Sequence, residues 1–197
     1  MKKSILLNFL SETKKAVLTV LGDIRIYPYP LYFLYHPKGY KIKGDKFEKI
    51  AANIQTFDVL LRRYDTYLDK VFIPGYWNHA AICSHGQGPF SRILHATSEG
   101  VHEDTLFDFM KTDHVCLLRP RFNFDASEVR RKMEAICGSP YDFDFNFGDP
   151  SAFSCTEVIK YLYNEYNSGI TTTQFLGKTI VPPDNIFNAS GFVKIVI

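Results

Sequence analysis

A chain of 197 residues that is 46% hydrophobic and 15% aromatic can bury one substantial core, which excludes a mainly disordered state and leaves little room for a second full domain. Four cysteines (Cys83, Cys116, Cys137, Cys155) without a CxxC pair argue against a disulfide framework and for a reducing, cytoplasmic setting. Net charge is only +2, yet residues 1–77 hold 13 Lys/Arg against 7 Asp/Glu and residues 78–197 hold 10 against 14; the basic residues are scattered among aromatics without a reading motif, so nucleic acid is not an expected partner.

In chain order, residues 1–21 form no signal peptide, because Ser11 to Lys15 break the apolar run, and no segment is long enough to span a bilayer. As a helix this stretch gathers Leu6, Phe9, Leu10, Val17, Val20 and Leu21 on one side. Packing on the protein's own core is its plain reading; an in-plane membrane helix, giving a membrane-associated protein, is the sharper one. Residues 22–37 are a Tyr/Pro-rich connector, too broken by proline for a long helix or central strand. The pattern then predicts a helix over 45–54, a buried strand over 57–64, short apolar strands over 79–84 and 92–97, and helix in the second half of 101–110. A strand over 113–122, a helix over 126–138 with a glycine stop, a helix over 155–166 and a closing strand over 191–197 complete an α+β chain.

Three residues in this order carry chemistry: His79, His95 and Cys155. A hairpin symmetric about Gln87 sets His79 opposite His95, on one face of a sheet. S-C-T-E at 154–157 reads as a capping box that places Cys155 in the first turn of a helix, where the dipole favours thiolate. A thiolate at a helix start, an imidazole on a strand and a second polar group to orient it are the parts of a cysteine nucleophile site. Tyr76 and Trp77 are candidates to line a substrate groove, with core packing the equal alternative for both. His85 and His102 read as solvated loop residues, His114 has no evident partner, and Cys83 and Cys116 read as core. Zinc held by a subset of His79, Cys83, His85, His95 and Cys155 is the competing use of the same residues, but their spacing matches no finger pattern, so no metal or other cofactor is expected.

The runs YKIKGDKFEKIAANIQTFDVLL, VFIPGYWNHAAI, ILHATSEGVHEDTLFDFM, SPYDFDFNF and FSCTEVI resemble the circularly permuted branch of the NlpC/P60 papain-like superfamily, the YiiX/YebB-type proteins, over roughly residues 38–166. The same chain order occurs in the related lecithin:retinol acyltransferase-like proteins. The resemblance implies a papain-like NlpC/P60 fold with permuted topology, a small antiparallel sheet or partial barrel packed against helices. On it, residues 1–37 are an N-terminal helix and connector and residues 38–197 the catalytic domain.

It further implies Cys155 as nucleophile, His79 as base and His95 as the third polar group, with Glu99 the substitute because many permuted members carry Glu at that position, and it makes Tyr141, in the PYDF that matches a family motif ahead of the cysteine, a candidate to bind substrate. Where the family's strand motif has Gly before Asp this chain has Phe57-Asp58, which implies a turn built differently. The implied activity is a cysteine hydrolase that cleaves a peptide or acylated amine through a thioester. Alternatives are a lipid acyltransferase, phospholipase-type or lipid-amide enzyme with peripheral membrane contact through the N-terminal region, and a non-catalytic or zinc-binding module.

Overall fold

The structure, a computed structural model, describes residues 24–28, 31–35, 40–42, 44–65, 73–145 and 148–196, together with Thr13 and Val17 as isolated helical positions. The rest of the N-terminal helix expected over residues 1–21 lies outside the described residues. Within the expected connector the backbone forms a hairpin, β1 (Ile24–Pro28) on β2 (Leu31–Tyr35), with Ile24 paired to Tyr35. Proline is tolerated there because the pair stands outside the main sheet.

Helix α1 (Asp45–Asn53) leads to β3 (Val59–Arg63), β4 (His79–His85), β5 (Arg92–Thr97) and β6 (Gly100–Thr105). A single-turn helix, α2 (Leu106–Phe109), precedes β7 (His114–Pro120) and α3 (Ala126–Ile136). Then follow α4 (Cys155–Tyr163), the hairpin β8 (Thr173–Phe175) and β9 (Lys178–Ile180), α5 (Pro183–Phe187) and β10 (Phe192–Val196). Among the described residues a six-stranded sheet runs in the order β10-β7-β3-β4-β5-β6, with every neighbouring pair antiparallel.

The alternation of β3 and β4 is apolar on both sides, so both faces of the sheet are buried. Val59, Leu61, Ala80 and Ile82 pack under Val129, Met133, Val158, Ile159 and Leu162 of α3 and α4, and under Ile186 of α5. On the other face Leu60, Ala81, Cys83 and Leu117 meet Ile50 of α1 and Leu106 and Phe109 of α2. Burying those side chains supplies roughly 25 cal/mol per Å² of apolar surface removed from water, the main force holding the layers together.

The sheet's centre is pinned by charge. Arg119 on β7 grips Asp58, just ahead of β3, with two hydrogen bonds of 2.8 Å, and Asp58 is 1% exposed. Residue 57, where the family motif has glycine, takes φ +76°. The turn is therefore built as a glycine would build it, and the phenyl side chain is accommodated. Phe57 N–H donates to Cys83 O at 2.8 Å, Tyr163 Oη donates to Phe57 O at 2.8 Å, and the ring meets Phe124 edge-on. Those contacts offset a backbone conformation that costs a side-chain-bearing residue about 1–2 kcal/mol.

Candidate active site

β4 opens at His79 and β5 carries His95 near its middle. Their pairing sets Ile82 against Leu94 and Cys83 against Ile93, so the hairpin is centred one residue beyond Gln87. Continued, that register puts His95 across from Ala81. The histidines are therefore diagonal neighbours rather than opposite ones, a correction to the sequence expectation. The cause lies at the turn, where Gly88–Phe90 coils into a 3₁₀ turn and an irregularity between Cys83 and His85 shifts the ladder. The shift leaves both rings on one face, since a step of two restores the side. His79 Nε2 lies 2.9 Å from His95 Nδ1, the rings nearly perpendicular.

β6 adds a group that the sequence reading passed over. The β5–β6 hairpin pairs His95 with His102 and Ile93 with Asp104, so His102 and Asp104 share the face of His95. The hairpin can close because Gly100 takes φ +99° and a Cβ there would stand 2.5 Å from Ser139 O. His95 Nε2 is 3.0 Å from Asp104 Oδ2. A carboxylate only accepts, so Nε2 of His95 carries the proton; in the neutral ring Nδ1 is then an acceptor and receives the N–H of His79 Nε2. The lone pair of a neutral His79 is thereby left on Nδ1. Glu99, the expected substitute for His95, sits in the exposed β5–β6 turn with its N–H on Thr97 Oγ1. The signal for Asp104 was present: S-E-G reads as a turn, and His102 and Asp104 alternate along VHEDT as same-face strand residues do.

Burial, aided by the charge of Arg62, holds His79 well below the ordinary histidine range. Burial likewise brings His95 down to about 4, even though Asp104 pulls the other way. Asp104 is held below its usual value first by the hydrogen bond from His95. Near neutrality the pair of rings is uncharged and Asp104 is ionised. Arg62, which pairs with His79 across β3 and β4, lays its guanidinium 4.5 Å from the centre of the Phe109 ring and donates to Phe109 O at 3.2 Å. Its Nε is buried without a hydrogen-bond partner among the described residues.

Cys155 opens α4 as the capping box predicts, with Ser154 N–H donating to Glu157 Oε2 at 2.7 Å. The expectation of a stabilised thiolate fails. Burial pushes the thiol up to about 11, although the N–H groups of Ala80 and Thr156 beside the sulfur and the charge of Arg62 pull it down. The start of a helix contributes less than the loss of hydration of a buried anion costs. α4 packs on the face of Ala80 and Ile82, whereas alternation puts His79 on the other face. No β4–β5 rung forms at the His79–Ala81 end of β4, and the sulfur meets the strand there, at the N–H of the residue after His79. Among the described residues no hydrogen bond links His79 to the sulfur itself.

The other candidates separate. Trp77 is buried against Phe187 and Tyr76 is exposed. They border a groove of about 530 Å³ with His114, Asp113 and Asp184, and neither Cys155 nor His79 lines it. Tyr141 packs beside Phe143 at the core's edge. The five residues of the zinc alternative do not converge; the His, Cys, Asp and Glu atoms that do, among the described residues, are those of His95, His102 and Asp104. His102 is thus a strand residue against the site rather than a solvated loop residue, and His114 has a partner in Asp65 at 2.9 Å.

Histidine strands that precede a helix opening on a cysteine, with the sheet between helical layers, define a permuted papain-like arrangement. The chain belongs to the family of permuted papain-like amidase enzymes, YaeF/YiiX, C92: residues 53–193 match it, so the likeness continues beyond residue 166, through β8, β9 and α5, into β10. Among solved structures it is similar to the metalloprotein yiiX from Escherichia coli O157:H7 (DUF1105), with a TM-score of 0.59 and 14% identity over 72% of this chain and 96% of that chain. No curated protein matches. Membership supports a hydrolase of the papain-like amidase class.

Proposed function

We propose that the protein is a cysteine amidase in which Cys155 attacks an amide carbonyl, His79 is the base, and His95 and Asp104 are positioning residues. The observation that carries the reading is the polarity of the Asp104–His95–His79 chain, which leaves the free lone pair on His79 Nδ1. As the sulfur bonds to the carbonyl carbon, Nδ1 takes the thiol proton and then passes it to the leaving amine nitrogen. The C–N bond breaks and a thioester remains. Water then gives a proton to His79 Nδ1 as its oxygen attacks the thioester carbon, the C–S bond breaks, the proton passes from Nδ1 to the sulfur to restore the thiol, and the acid departs. Backbone N–H groups at the start of α4 are suited to hold the carbonyl oxygen as it gains charge.

Arg62 supplies fixed positive charge, so an amide bearing a carboxylate near the scissile bond, such as an N-acyl amino acid or a peptide terminus, is the favoured substrate class. The test is hydrolysis of a panel of N-acyl amino acids by wild type and by Cys155→Ala, with acid-quenched intact mass to trap the acyl enzyme. An acyl adduct on Cys155 and loss of turnover in the variant are expected. Turnover retained by Cys155→Ala would overturn the reading.

A further inference from the structure

We propose that His95, His102 and Asp104 form a divalent-cation site of the zinc class, and that an ion held there withdraws the base from the Cys155 thiol. The second half rests on the amidase reading; the first does not. One donor atom from each residue lies within 4.8 Å of the others. His95 Nε2 is 3.0 Å from Asp104 Oδ2 and His102 Nε2 is 3.9 Å from Asp104 Oδ1, spanning the roughly 3.3 Å that separates the ligands of a tetrahedral zinc ion. All three stand on one face of a two-strand ladder, with His95 directly opposite His102.

The outer atoms are set for ligation as well. His102 Nδ1 is 3.0 Å from Gly100 O, and a carbonyl only accepts, so that nitrogen carries the proton and Nε2 of the neutral ring presents a lone pair toward a carboxylate oxygen. A cation between that lone pair and the carboxylate oxygen engages both, and a ligand histidine whose far N–H is tied to a backbone carbonyl is the usual support of a metal. His95 has its own outer partner in His79. His102 and Asp104 are each about one-third exposed, which gives an ion a path in and leaves a fourth position for water. Arg62 opposes the ion from β3, and the carboxylate of Asp104 offsets that charge.

Occupancy reverses the chain of hydrogen bonds. An ion on His95 Nε2 takes the lone pair formed when the proton leaves, and that ring keeps one proton on Nδ1. Nδ1–H then donates to His79 Nε2, which must give up its own proton, and His79 carries its hydrogen on Nδ1. Each neutral ring keeps one hydrogen, so the proton count is unchanged. The Nδ1 lone pair that the proposed reaction needs from His79 is gone.

The test titrates the metal-free full chain with Co²⁺, followed by Zn²⁺ competition, and reads ¹⁵N-histidine NMR in parallel. Expected are one saturable tetrahedral Co²⁺ per chain without a thiolate charge-transfer band, displacement by Zn²⁺, and a His79 Nδ1 signal that moves to the protonated position. His102→Gln should weaken binding more than about 10-fold, with a thermal melt to show that it folds, and Cys155→Ala should bind as wild type does. Absence of saturable binding, equal binding by folded His102→Gln, or a thiolate band would overturn the site. A His79 signal unmoved by bound ion would overturn the coupling. Binding by Cys155→Ala also keeps the two readings apart, since it is measured without turnover.

Discussion

Asp104 sets the direction of the protons on His95 and His79 while standing one residue removed from His79 in the hydrogen-bonded order. Asparagine there both donates and accepts, so it no longer enforces one tautomer of His95 and hence of His79. Asp104→Asn should lower kcat about 10²- to 10⁴-fold, by analogy with the loss of tautomer control in a hydrolase triad, with little change in KM. Asp104→Glu should recover part of the loss. An unchanged kcat in Asp104→Asn would remove it from the chain of control. Cysteine reactivity gives a second check at this scale. Because burial pushes Cys155 up to about 11 and Cys83 and Cys116 up to about 12, iodoacetamide near neutral pH should modify the exposed Cys137 first. Labelling of Cys155 should climb as pH approaches 11. Peptide mapping that finds Cys155 modified ahead of Cys137 at pH 7 would restore a resting thiolate.

At the scale of elements, the turn before β3 makes the sharpest claim. Phe57 holds φ +76°, so glycine should be less harmful there than alanine, the reverse of their usual order. Both Phe57→Gly and Phe57→Ala lose the ring contacts with Phe124 and Arg130. Only alanine keeps the strain, and urea melts should place it about 1 kcal/mol below the glycine variant. Equal midpoints would mean the turn relaxes. The same scale shows what could be read in advance. α1, β3, β4, β5, α3, α4 and β10 were legible because each has a long apolar period or a cap, as in the Ser154–Glu157 box. β6 was not, since its polar alternation in VHEDT runs directly into the helical LFDF. The β1–β2 hairpin was hidden by prolines that an isolated pair tolerates. The candidate residues His79, His95 and Cys155 were visible, but the diagonal offset of the two histidines depends on one irregular rung at Cys83–His85, and Asp104 depends on the β5–β6 register. The thiol's state depends on burial, which no spacing reports.

For the molecule as a whole, the buried histidines couple folding to acidity. His95 is brought down from 6.5 to about 4, so between those values the unfolded chain binds more protons than the folded one. Its contribution to stability is full above pH 6.5 and is lost as pH falls toward 4, and His79 acts in the same direction. The loss from His95 reaches about 3 kcal/mol near pH 4. Urea melts of wild type and His95→Asn between pH 7 and 4 should converge on acidification, because the variant lacks that titration. Parallel curves would show that the imidazole is not held neutral.

The order of parts along the chain has a consequence for biosynthesis. A ribosome releases β3 to β6 before α4, so both histidines and Asp104 can be paired by short-range hairpins while Cys155 has yet to be made. The β5–β6 rungs close a loop of only a few residues, a cheap early step. β10, the strand that ends the sheet on the far side of β7, arrives last. A nascent or prematurely terminated chain that stops before residue 155 therefore holds the His79–His95–Asp104 half of the proposed site without Cys155, and the thiol emerges only after five of the six strands of the described sheet have been made.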